Sequence, residues 1–114
     1  MENSNTVEEG KTIAIISYVT LIGLIIAIVM NNDKKNSFAS YHIRQSIGII
    51  VLYILLGIFF YILSFIVYIP FLSTILYIGV FVLWILGILA AVQGETKPVP
   101  LVGEKFQEWF KSIG

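Results

Sequence analysis

Gln45–Gly94, QSIGIIVLYILLGIFFYILSFIVYIPFLSTILYIGVFVLWILGILAAVQG, runs for fifty residues without a formal charge. As one helix it would extend roughly 75 Å, more than twice the ~30 Å hydrocarbon core of a bilayer, so it has to turn. Pro70 lies near its middle, with Ser73 and Thr74 just beyond. Proline lacks a backbone donor and disfavours helical geometry at the residue before it. The reading is two spans, at about 45–68 and 72–93, joined by a very short turn.

Upstream, Thr12 to Met30 is also free of charge and ends in the polar stretch Asn31-Asn32-Asp33-Lys34-Lys35-Asn36-Ser37. Nineteen residues reach roughly 28 Å as a helix, which predicts a further span at about 12–31. A cleaved signal peptide is disfavoured. The approach carries Glu2, Glu8 and Glu9 rather than a basic segment, and no small-residue cleavage site follows the apolar run. Thr6-Val7-Glu8-Glu9 fits a capping box at the helix start.

The composition agrees with a lipid-embedded chain. Of 114 residues, 58% are hydrophobic and 12% charged, too few charges to coat a soluble domain of this size. Seven basic and seven acidic residues leave no net charge, which gives no footprint for nucleic acid. The absence of cysteine and the single histidine, His42, exclude thiolate or multi-histidine metal sites within one chain. No acid, base and nucleophile stand together, so no catalytic residue, metal or cofactor is expected.

Three spans would place the 31–44 loop and the C-terminal tail on one side of the membrane. Those segments hold Lys34, Lys35, Arg44, Lys97, Lys105 and Lys111, against Lys11 and the terminal amine opposite. That asymmetry predicts a cytoplasmic loop and C-terminus. The tail Lys97–Gly103 is rich in proline and should be an extended connector. Beyond it, Phe106, Trp109, Phe110 and Ile113 share one face of a helix at about 103–113, expected to lie in the interface as an anchor.

Membrane helices pack through small and amphipathic side chains. On the second span Tyr53, Gly57, Tyr61, Ser64 and Tyr68 fall within an arc of about 80°. On the third, Tyr77, Trp84, Gly87 and Ala91 form a comparable stripe. These stripes are read as helix–helix interfaces, with a substrate path as the other use. At the entrance to the second span, Tyr41, His42, Arg44, Gln45 and Ser46 read as headgroup-level anchors, with an anion or lipid-phosphate contact as the alternative.

Three segments carry a resemblance: Lys11-Thr12-Ile13-Ala14-Ile15-Ile16-Ser17-Tyr18, Tyr41-His42-Ile43-Arg44-Gln45-Ser46, and Pro98-Val99-Pro100-Leu101-Val102-Gly103-Glu104-Lys105-Phe106. In that order the chain resembles the Tic20-like family of small uncharacterised bacterial membrane proteins, distantly related to a chloroplast protein-import component. The resemblance implies a membrane role with a hint of translocation, and it marks Tyr41, His42, Arg44, Gln45 and Ser46 as the candidate functional motif.

The expectation is an all-α integral membrane protein with three transmembrane helices and a C-terminal amphipathic interfacial helix, forming one membrane domain of the bacterial cytoplasmic (inner) membrane. Its expected role is a non-enzymatic scaffold or accessory protein whose partners are the lipid bilayer and further copies or other membrane proteins. The rival role is a subunit of an oligomeric small-solute transporter or translocation component.

Overall fold

In the computed structural model, which describes residues 4–113, five helices follow in order: α1 Ser4–Val19, α2 Leu21–Lys34, α3 Ser37–Leu63, α4 Pro70–Gln93 and α5 Gly103–Trp109. The terminal amine counted above lies outside the described residues, and helix α1 already includes Thr6–Glu9 rather than being capped there. Among the described residues there is no strand.

The predicted single span at 12–31 is two helices. Thr20 takes an extended backbone (φ −156°, ψ 177°), and its hydroxyl accepts the Gly23 N–H at 3.0 Å, starting a new helix in the middle of the apolar run. The chain then doubles back. Gly23 lies against the Ile16 carbonyl, where an added Cβ would collide with it. Ile13, Leu24 and Ala27 pack into one cluster with Ala39 and Ile43 of α3. At the open end the Asn36 amide donates to the Thr6 carbonyl at 2.9 Å. Helices α1 and α2 are therefore an antiparallel hairpin with Thr20 at its tip. Hydropathy cannot see such a reversal, because both arms are as apolar as one crossing helix.

Lys35, with φ 50°, ends α2, and Asn36 caps α3 by accepting the Ala39 N–H at 2.9 Å. Helix α3 thus begins inside the stretch read as the 31–44 loop. Its far end is Leu63 rather than 68, and α4 starts at Pro70 itself. Proline suits the first turn of a helix, where its missing N–H has no intrahelical partner to lose. Helices α3 and α4 are long and apolar enough to cross a membrane, and only 17% and 22% of their most apolar windows are buried in the fold. That exposure separates them from the core helices of a water-soluble protein. Their exposed apolar faces suit a lipid environment.

The α1–α2 hairpin braces the lower half of the α3–α4 pair. The indole of Trp84, midway along α4, donates to the Tyr18 carbonyl at 2.6 Å, and Gly87 admits the Tyr18 ring, which would lie 2.6 Å from an added Cβ. Ile49, Val80, Ala91 and Phe106 share the central cluster with Ala14 and Tyr18.

The tail is not a free connector. Gly94, at φ 75°, closes α4, and the chain then folds back along the bundle with Val99 buried. It reverses at Leu101, where φ is 74° and the Val102 N–H reaches the Pro100 carbonyl at 2.9 Å. This is a γ-turn, a strained conformation for a residue with a side chain. Helix α5 then descends against α3. Phe106 is buried against Gly48, where no Cβ would fit, so the expected interfacial anchor divides. Phe106 and Phe110 pack into the bundle, while Trp109 and Ile113 stay exposed. The helix also stops at Trp109, four residues short of the expected end.

Candidate functional site

The Tyr41–Ser46 motif occupies the second and third turns of α3, where the hairpin, the end of α4 and the tail converge. His42 is fully buried. Its Nε2 lies 2.7 Å from the Glu95 carbonyl, an acceptor only, so that nitrogen carries the proton. Nδ1 then accepts the Tyr18 hydroxyl at 2.7 Å. One neutral ring thereby ties α1, α3 and the end of α4 together. Phe38 and Tyr41 stand edge-on to it at 4.8 and 5.3 Å between ring centroids.

One helical turn on, Gln45 is also fully buried. Its Oε1 accepts the Val99 N–H at 3.0 Å, and its Nε2 donates to the Gly103 carbonyl at 2.7 Å. The two contacts lie on opposite arms of the tail loop, so one amide pins both feet of the turn at Leu101. Asparagine or alanine would be too short to reach either arm. Ser46 donates to the Ser17 carbonyl of α1 in a short contact. Arg44 turns outward and donates from Nε to the Ile113 carbonyl at 3.0 Å and from Nη2 to the Lys111 carbonyl at 2.9 Å. The Tyr41 carbonyl accepts Gln107 Nε2 of α5 at 2.8 Å. Four side chains of the motif thus reach main-chain or side-chain groups on other segments.

A second polar cluster completes this root. Asn31, fully buried, donates to the Ser40 hydroxyl at 2.9 Å and accepts the Asn36 N–H at 2.9 Å. Sequence reasoning singled out neither Asn31, Asn36 nor Ser40, because an Asn-rich run beside Asp33 and two lysines reads as a solvated loop. The signal that was there is Asn36 standing three residues before Ala39 at a helix start. No buried side-chain nitrogen or oxygen among the described residues lacks a partner. The root is a closed hydrogen-bond network, and its polar atoms face one another rather than a cavity.

The aromatic and small-residue stripes separate by height. Gly87 and Ala91 are buried against α1, and Trp84 is half-buried. Tyr53 and Tyr77 meet edge-on at 5.4 Å, with Gly57 half-buried beside the Tyr77 hydroxyl. Higher up, Tyr61, Ser64 and Tyr68 are exposed and touch no other helix through a hydrogen bond of their side chains; the Ser64 hydroxyl turns back to the Tyr61 carbonyl at 2.6 Å. A cleft of about 300 Å³ opens above the Thr20 hairpin tip, lined by Ile49, Ile50, Tyr53, Tyr77, Phe81 and Trp84 among others. Among the described residues no group of three His, Cys, Asp or Glu is placed to hold a metal ion.

No curated protein and no solved structure matches the chain. A family model does: that of the MamF/MmsF family, described as the magnetosome magnetite crystal formation protein family, matches residues 9–106. The match takes in the hairpin, the motif, both long helices and the tail loop, and it displaces the Tic20-like resemblance, which no comparison supports. With most of its length matched and two helices suited to a bilayer, the chain is a membrane protein that belongs to the magnetosome magnetite crystal formation protein family.

Proposed function

We propose that this chain is a non-enzymatic membrane scaffold or accessory protein that takes part in magnetite crystal formation at a magnetosome membrane, acting through self-association or through other membrane proteins. The family match supports the process, and the hydrogen-bonding of the root supports the mode of action. The observation that carries the second part is the closed root: His42, Gln45, Asn31 and Ser46 are all committed to internal hydrogen bonds. Chemistry on a substrate needs acid, base or nucleophile groups that can reach it. A network of this kind holds a shape instead, and the surface it presents is apolar helix.

The arrangement proposed in the membrane is two crossings, α3 and α4, with α1–α2 entering and returning as a half-depth hairpin. Lys11, Lys34, Lys35, Arg44, Lys97, Lys105 and Lys111, the full complement of seven basic side chains, then gather at one end. That end is cytoplasmic by the excess of Lys and Arg, with the start of α1 and the end of α5 on that side. From Ser46 to Leu63 the crossing part of α3 measures roughly 26 Å, close to the hydrocarbon thickness.

The test is removal of the chain from a magnetosome-forming host, with crystals measured by electron microscopy and the tagged chain cross-linked in native membranes. Smaller or misshapen crystals, together with cross-linked adducts of the tagged chain, are expected. Unchanged crystals and a strictly solitary chain would contradict the proposal.

A further inference from the structure

On the side of the α3–α4 pair where the tail folds back, one face of α4 borders open clefts along much of its length, with Ala90 buried and Leu83 half-buried between exposed neighbours. Leu76, Gly79, Leu83, Leu86, Ala90 and Gln93 follow one another at helical spacing on that face, roughly 26 Å from end to end. Two clefts lie along it and share Pro100. The outer one, about 190 Å³, has a polar mouth of Gln93, Glu95 and Lys97. The inner one, about 250 Å³, is lined by apolar side chains alone, including Leu52, Leu56 and the Pro100–Val102 turn.

Three further features converge there. Gly79 is exposed, and a Cβ added to it would meet nothing within 4 Å, so no internal packing explains a helix-weakening residue at that point. The strained Leu101 extends its side chain wholly out of the fold at the rim of the inner cleft, held there by Gln45 gripping both arms of the loop. At the mouth, Glu95 and Lys97 are both exposed, one anion and one cation two residues apart.

We infer that this groove is a phospholipid site, with an acyl chain lying along α4 past Gly79 and Leu101 and a headgroup bearing both phosphate and ammonium at Lys97 and Glu95. The polarity gradient selects an amphiphile: the inner cleft offers no hydrogen-bonding side chain, while the mouth carries charges of both signs. A second helix fits the groove less well. Gly79 has Ile75 and Leu83 four residues to either side, so the small-residue spacing that lets membrane helices approach closely is missing. A Cβ at Gly79 collides with nothing, so leucine there should enter the acyl path without displacing the backbone.

The full chain, purified in mild detergent, is offered equal amounts of phosphatidylethanolamine and phosphatidylglycerol and examined by native mass spectrometry, with thermal unfolding as the control for folding. The wild type should retain phosphatidylethanolamine in preference. Gly79→Leu should cut retention about tenfold at unchanged unfolding temperature, and Glu95→Gln should abolish the preference. Equal retention of the two lipids by the wild type would overturn the assignment. So would undiminished retention by Gly79→Leu, or loss of a dimer rather than of lipid in that variant.

Discussion

At the root of the bundle, His42, Gln45 and Ser46 reach groups on α1, the end of α4 and the tail; at the far end, Ser64 and Ser73 turn their hydroxyls back to carbonyls three residues earlier, Tyr61 and Pro70. Both regions belong to the same two long helices, and both carry polar side chains in an apolar run. The root spends them between segments and so fixes the tertiary structure. The far end spends them locally, leaving Tyr61, Phe65, Ile66 and Tyr68 exposed to whatever surrounds the protein. A polar residue in a membrane helix is thus read by its reach: contacts across segments mark architecture, and contacts within one turn leave a surface free.

Substitutions at the root and at the far end should therefore differ sharply. The largest loss is expected from Gln45→Leu, which strands the Val99 N–H inside the fold and removes the second bond, to the Gly103 carbonyl. The orphaned donor costs about 1–3 kcal/mol and the lost second bond about 1 kcal/mol, so unfolding in detergent should be easier by about 3 kcal/mol, and protease should cut the released 95–103 loop. His42→Leu comes next. It leaves the Tyr18 hydroxyl and the Glu95 carbonyl without partners, for about 2 kcal/mol, and loosens α1 from α4 in hydrogen exchange. Trp84→Phe removes one bond to the Tyr18 carbonyl and should cost about 1 kcal/mol by the same unfolding assay. Tyr61→Leu together with Ser64→Leu should change stability by less than about 0.5 kcal/mol, since neither side chain ties one segment to another. Should that pair instead unfold the protein, the contrast with the root fails; should it abolish cross-linking without unfolding it, the far end is an interface between chains and the contrast sharpens into a division of labour.

The parts of this fold that were legible from the sequence are those written in continuous physical signals. The charge-free run and Pro70 give α3 and α4, because length and the loss of a backbone donor act locally. The bend at Thr20 was not legible. Its cue is a threonine three residues before Gly23, a pattern that means a helix cap only when the chain has somewhere to return to, and that place is supplied by Ala39 and Ile43 of α3. The motif Tyr41–Ser46 stood out as a group, yet its roles depend on groups as far away as Val99, Gly103 and Ile113, which spacing within the motif cannot reveal. The prolines rightly marked the tail as non-helical. That it folds back depends on Gly48 opening a place for Phe106, a glycine that reads as one more small residue in an apolar helix.

The hairpin at 4–34 is the claim on which sidedness rests, and the chain's lack of cysteine makes it directly testable. Glu8→Cys, Lys35→Cys and Lys111→Cys variants would be treated with a membrane-impermeant maleimide in sealed vesicles of known orientation. All three should label from the same, cytoplasmic side. Labelling of Glu8→Cys and Lys35→Cys from opposite sides would mean that residues 12–31 cross the membrane once, and the doubled-back hairpin would be wrong.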